Sequence, residues 1–426
     1  MPGQQRTITQ MKTQLQRRSF TMTLTADNRR YDLDWLRTLA FGLLILYHIG
    51  MYYVADWGWH IKSDTTSEVL QNLMILTNPW RMSLLFFISA MALALAQQRS
   101  SRLSLFGLRS NRLLIPLLCG MFIVVVPQVY FEALSQQLIE PGFIKFWWQY
   151  INPNTALLPE HHSPIGLLTW NHLWFLPYLW CYSVLVLLGA PLLNTLAKLL
   201  KPLPGSIALL LVMAALIAAW WLLKQAYPSS HALVDDWYNH GKYFVVFIAG
   251  YLFALQGNWW LKVIAHRRWF MLAAILGYCL IIADRNGLFD SIPASFGESV
   301  SGRLIVGVVL ALNHWGWILA LIGYAGRYLN KPATKLDKDG SLLRYANNAI
   351  LPWYMLHQTL IIVFAVWLKP LALPMGIEAV LLIILTCLGC WAGFELVKRF
   401  RLSRWLFGLK VKLAAGRGYQ TTAAQQ

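Results

Sequence analysis

The stretch Asp34-Trp35-Leu36-Arg37-Thr38-Leu39-Ala40-Phe41-Gly42-Leu43-Leu44-Ile45-Leu46-Tyr47-His48 decides how the rest of the chain is read. It is apolar enough to open a membrane helix, yet it carries a carboxylate, a guanidinium and an imidazole. Arg37 and His48 stand eleven positions apart, almost three whole turns, so they share one helical face, with Asp34 a turn before Arg37. Their axial separation is roughly 16 Å, about half the hydrocarbon thickness. A cation near one leaflet and a titratable ring deeper in are costly unless protein encloses them. That marks this face as a functional candidate.

Composition places the stretch in context. The chain has 426 residues, of which 57% are hydrophobic and only 13% charged, with 21 Trp; a soluble protein would carry far more charge. Apolar runs of helix-spanning length recur at 33–54, 80–98, 111–131, 172–195, 206–223, 241–257, 268–284, 302–325, 347–367 and 373–396. Because backbone groups in lipid must bond within their own segment, these runs predict an all-α polytopic integral-membrane bundle of ten helices rather than a sheet. Residues 1–32 read as a cytoplasmic N-terminal tail, 33–396 as the transmembrane domain, and 397–426 as a basic, then polar, cytoplasmic tail. The N-terminal tail is too polar and too long for the leading region of a cleavable signal peptide.

The formal charge of +18 raises the question of nucleic acid, and its placement answers it. Of the 36 Lys and Arg, 27 fall on the side holding both tails, eight on the other, and Arg37 inside the first span. This alternation through every loop predicts both termini in the cytoplasm of a bacterial inner-membrane protein, with the charge setting orientation and meeting lipid. No nucleic-acid partner is expected, and the sequence sets no oligomeric state.

The five cysteines sit in apolar segments, and Cys387 and Cys390 lack a second ligand pair, so they read as small hydrophobes. Adjacent His161 and His162 have no companion ligands either, and no metal is expected. Trp147-Trp148-Gln149-Tyr150, in the long loop 132–171, suits interfacial anchoring or stacking on a sugar. Asp235 and Asp236, in the loop 224–240, suit either a polar acceptor or plain solubility.

Several polar residues inside or beside the spans can carry chemistry. Neutral His48 can take a proton from a hydroxyl that attacks a carbonyl and return it to a leaving group. Asp34, some 21 Å away along an ideal helix, cannot polarise it, so its orienting partner lies on another helix. Arg109 and Arg112, three positions apart, can grip a phosphate together; the same pair equally serves topology and anionic lipid. His357 lies at mid-depth in the ninth span, with Asn313 and His314 at comparable depth in the eighth, as an enclosed wet site requires. Asn171 and His172 open the fourth span and Arg81 the second, where each can orient an acceptor or support the bundle. Tyr354 precedes His357 by three positions.

Taken in order, these landmarks resemble membrane-bound acyltransferase family 3, and within it the branch of periplasmic-glucan-modifying proteins. The resemblance rests on the acid, Arg37 and His48 of the first span, on Arg81 with Leu84-Leu85-Phe86-Phe87-Ile88-Ser89, on Arg109 and Arg112, on His172 to Leu176, and on Tyr354 to His357. Ala90 stands where the family's phenylalanine-rich stretch usually ends in glycine. The resemblance implies a membrane-bound O-acyltransferase, moving groups other than amino-acyl groups from acyl-coenzyme A to a hydroxyl of an extracytoplasmic carbohydrate such as a periplasmic or cell-surface glucan. It implies His48 as the essential histidine and Arg37, Arg109 and Arg112 as holders of the donor's phosphates, with acyl-coenzyme A as co-substrate and no tightly bound cofactor. The alternative from the residues alone is a transporter or exporter of an anionic or acylated substrate, which paired broken helices in two repeats would mark. No such repeat is visible.

Overall fold

A computed structural model describes residues 29–331, 337 and 340–410. The tail expected up to residue 28, the end of the C-terminal tail from 411, and residues 332–336, 338 and 339 of the basic loop lie outside the described residues. Among the described residues the chain is all-α, its extended pairing confined to the isolated bridges Val54–Ser67 and Ser163–Gly166.

In chain order the helices are α1 (Tyr31–Tyr53), α2 (Asn78–Gln97), α3 (Arg102–Cys119), α4 (Val126–Ser135), α5 (Phe143–Ile151), α6 (Phe175–Leu188) and α7 (Ala190–Leu200). They continue as α8 (Gly205–Leu223), α9 (Trp237–Leu255), α10 (Gly257–Arg285), α11 (Val300–Tyr328), α12 (Ser341–Leu368), α13 (Met375–Val397) and α14 (Arg401–Leu406). Nine helical spans among the described residues are long and apolar enough to cross a membrane. The tenth expected span is α9, also helical, whose first turns carry Asn239, His240 and Lys242 and dilute its apolar character. The protein is a multi-pass integral-membrane protein, and this architecture is consistent with the inner membrane.

Two helices extend beyond their expected spans. Arg102-to-Ser110 is helical although the expected span begins at 111, so Arg109 and Arg112 stand inside α3 rather than at its end. Likewise α10 begins at Gly257 and takes in Lys262, Arg267 and Arg268, residues expected in a loop. The fourth span breaks at Gly189, ahead of Pro191, because proline fits the opening of a new helix but not the interior of an old one.

The chain divides into two compact units. The first takes in the chain to Leu43, Asn72–Ser101 and Tyr182–Asn347. Its core is aromatic: Phe87 meets Phe253 at 5.4 Å and Trp315 at 6.2 Å between ring centres, and Phe86 meets Tyr243 at 5.0 Å. Ala90 is fully buried here, and the close approach falls to Gly250 of α9, where a Cβ would collide with the Phe87 carbonyl oxygen. Backbone cannot yield as a side-chain tip can. Gly250→Ala is therefore expected to lower stability by about 1–3 kcal/mol, read as a lower thermal midpoint of the detergent-purified protein.

In the same unit, buried Asp236 accepts from the Ser230 and His231 backbone amides at 3.1 and 3.2 Å and from Asn239 Nδ2 at 3.0–3.1 Å. It organises the loop, whereas Asp235 beside it is exposed. Burial, reinforced by the Lys242 ammonium, pushes His231 down to about 4, so the fold holds it neutral. An unfolded histidine titrates near 6.5. Its contribution is thus complete above pH 6.5 and is lost as pH falls toward 4, because the unfolded chain binds the extra proton. The thermal midpoint is expected to fall across that window, and less steeply in His231→Gln.

The second unit takes in Leu44–Gln71, Arg102–Cys181 and the chain from Asn348. Ile45, Ile49 and Tyr52 of α1 pack with Ile361, Ala365 and Leu382 of α12 and α13 in its core. Between α3 and α4 the helix widens into a π turn, Gly120–Val124, in which Val125 N–H reaches back to the Gly120 carbonyl at 2.9 Å. Pro127 has no N–H to serve the Phe122 carbonyl in that register, and the Trp147 indole N–H donates there instead at 2.9 Å. Tyr150 reaches Met121 O at 3.1 Å, and Thr359 donates to Val124 O at 2.6 Å. Burial pushes the Tyr150 phenol up to about 12, so it keeps the proton it donates. Trp147 and Tyr150 thus anchor α5 to the span, while Trp148 is exposed.

Candidate active site

His48 and His357 approach each other in the second unit. Nδ1 of His48 lies 3.1 Å from Nε2 of His357 and 3.0 Å from the Leu44 carbonyl. His357 is fully buried, and its Nδ1 lies 2.8 Å from the Tyr354 carbonyl. A carbonyl only accepts, so His357 carries its hydrogen on Nδ1 and presents a lone pair at Nε2. His48 Nδ1 then faces two acceptors and must hold the hydrogen itself. Its other nitrogen, Nε2, is left as the basic one.

A second chain of groups runs alongside. Buried His172 places Nε2 3.1 Å from both the Tyr354 and Met355 carbonyls, so it donates there and accepts at Nδ1 from Gln128 Nε2, also at 3.1 Å. Gln128 spends its other amide hydrogen on Thr359 Oγ1 at 2.7 Å, and its oxygen accepts from Gln358 at 3.0 Å. Gln358 also donates to His60 Nε2 at 2.9 Å, which directs the His60 Nδ1 hydrogen to Glu132. Every donor and acceptor in this chain has one consistent assignment. Tyr354 and His172 clasp each other reciprocally, the Tyr354 hydroxyl donating to the His172 carbonyl at 2.5 Å. The imidazoles of His172 and His357 are 5.2 Å apart between ring centres.

The expected residues sort by unit. His48, His357, His172, Tyr354 and Asn171 belong to the second, as do Arg109 and Arg112. On α3, the Trp180 indole donates to Ser110 at 2.9 Å and the Trp405 indole to Asn111 at 3.0 Å. These two ties hold the flanks of the helix between Arg109, half-buried, and Arg112, exposed. Pro116 removes the N–H that would serve the Arg112 carbonyl, and Gly408 packs there at φ +66, where a Cβ would stand 3.1 Å from that oxygen. Asn171 sits at φ 45 on the turn that leads into α6.

Arg37, Arg81, Asn313 and His314 belong to the first unit. Arg37 donates through Nε to Asn347 Oδ1 at 3.1 Å, through Nη2 to the same oxygen, and to Asp34 at 3.3 Å. Asp34 thereby orients Arg37 rather than His48. Arg81 is buried, with Nη1 3.4 Å from Thr77 Oγ1. Asn313 and His314 line a cavity with Lys242.

Sequence reasoning missed Gln128, Gln358, Thr359, His60 and Glu132. Gln128 carried the clearest signal, a lone amide in the apolar run Met121–Tyr130, where an unpaired amide is expensive. Among the described residues no three His, Cys, Asp or Glu side chains are placed to hold a metal ion.

A family model described as an acyltransferase domain matches residues 30–395. No curated protein and no solved structure matches the chain.

Proposed function

The chain belongs to acyltransferase family 3, as a membrane-embedded O-acyltransferase, and from that premise we propose that it moves an acyl group from cytoplasmic acyl-coenzyme A to a hydroxyl of an extracytoplasmic carbohydrate, a periplasmic glucan in particular. The observation that carries this reading is the His48–His357 pair, whose hydrogen bonding leaves Nε2 of His48 as the base.

In this reading His48 Nε2 takes the proton of the acceptor hydroxyl as its oxygen attacks the thioester carbonyl. The C–O bond forms, a tetrahedral oxyanion results, and its collapse breaks the C–S bond. The departing thiolate takes the proton back from Nε2, so the imidazole ends as it began. During the charged interval the Nδ1 hydrogen bond to His357 and Leu44 strengthens, because an imidazolium is a better donor than an imidazole. His172 and Tyr354 are positioning residues that hold the backbone carbonyl to which His357 is bound. Arg37, Arg109 and Arg112 hold the phosphates of the donor from the cytoplasmic side, where both termini also lie, and Asn171 and Arg81 serve the acceptor side.

The test is ester formation by the full chain in nanodiscs, supplied with acyl-coenzyme A donors and glucan acceptors and read by mass spectrometry. Acylated glucan with release of free coenzyme A is the expected result. Donor consumed without ester, or substrate carried across a sealed vesicle without any ester formed, overturns the reading.

A further inference from the structure

The first unit contains a cavity of about 120 Å³ that shares no residue with the imidazole chain. Lys242 and Tyr238 of α9 line it, with Trp220 of α8 and Asn313 and His314 of α11. Asn313 is fully buried and His314 is 7% exposed. Both polar atoms of the Asn313 side chain and Nε2 of His314 lack a hydrogen-bond partner. An unpaired buried amide costs about 1–3 kcal/mol, and two such side chains in one cavity point to an occupant that satisfies them.

We propose that this cavity binds a small carboxylate of two to four carbons. The Lys242 ammonium rests over the Tyr243 and Tyr238 rings, 4.3 and 5.3 Å from their centres, with no carboxylate among the described residues within ion-pair distance. Aromatic faces keep a cation in place without neutralising it. One positive charge matches a monoanion. The Asn313 amide N–H and the His314 ring supply donors for the carboxylate oxygens. Leu216, Leu310 and Ala311 make the remaining wall apolar, which suits a short alkyl tail. The volume excludes a disaccharide or a nucleotide but accommodates acetate, propionate or butyrate.

Water alone is the competing occupant, since a cavity of this size could hold several molecules at about 30 Å³ each. Titration of the full chain in zwitterionic nanodiscs with acetate, propionate and butyrate, followed by ligand-observed NMR, separates the two. Saturable binding is expected, weakened at least about tenfold in Lys242→Met, as loss of a charge-assisted hydrogen bond implies. Ala311→Leu fills the space without altering charge and is expected to abolish binding, while His48→Ala binds like the wild type. Circular dichroism and the thermal midpoint establish that each variant is folded; if Lys242→Met is not, the wild-type titration and Ala311→Leu decide. Absence of saturable binding to the wild type, unchanged affinity in folded Lys242→Met or Ala311→Leu, or loss of binding in folded His48→Ala overturns the proposal. None of those results bears on ester formation, which has its own assay.

Discussion

Ester formation is expected to fall by about 10²–10⁴-fold in His48→Ala, the range that removal of a general base produces. The argument rests on the tautomer rather than on the presence of a histidine. Two acceptors, the Leu44 carbonyl and His357 Nε2, confront His48 Nδ1, and together they put the hydrogen there and the lone pair on Nε2. The loss should appear in kcat, with donor affinity little changed, because His48 is assigned to proton transfer and not to the coenzyme handle. His357→Phe should lower kcat by a smaller factor, since the Leu44 carbonyl still holds the Nδ1 hydrogen. Wild-type turnover by folded His48→Ala protein would remove the proposed chemistry altogether.

The second large effect is expected in the donor KM. Alanine at both Arg109 and Arg112 should raise the apparent dissociation constant for acyl-coenzyme A by roughly 10²-fold or more, since each charge-assisted hydrogen bond to phosphate is worth about 1.5–3 kcal/mol. The two side chains are one turn apart on α3, and the helix between them is held by the indoles of Trp180 and Trp405. Little orientation then remains to be lost on binding. Arg112→Lys should recover only part of the affinity, since an ammonium cannot reproduce a planar fork. Should the double variant bind the donor like wild type while losing retention of anionic lipid, the pair serves lipid instead. Direct titration in nanodiscs with and without anionic lipid distinguishes the two results.

The helices were legible because apolar run length and the Lys/Arg asymmetry are properties of local sequence. Their ends were less so. Arg102-to-Ser110 and the opening of α10 are helical with polar residues along them, and hydropathy marks only the apolar middle of such a helix. The separation of Arg37 from His48 follows from one helix, so it needs no tertiary information. The partner of His48 does, because His357 lies 309 positions away and no local rule sets the register between distant helices. Depth alone groups Asn313 and His314 with His357 in one wet site, whereas they belong to the other unit and share their cavity with Lys242. In the sequence Lys242 is only one cation among those that set topology.

The π turn at Gly120–Val124 has a consequence for how this chain tolerates changes in length. A π turn holds one residue more than the α-helix that would otherwise occupy the same rise. Deleting one residue there would let α3 and α4 fuse into a single regular rod, at no cost in apolar length. The fused helix would be rotated by about 100° beyond the deletion. Gln128 and Glu132, one turn apart, would swing away together from His172 and His60. The widened turn thus acts as a phase setting: a shortened chain could still span the membrane, with its amide and carboxylate facing the wrong way.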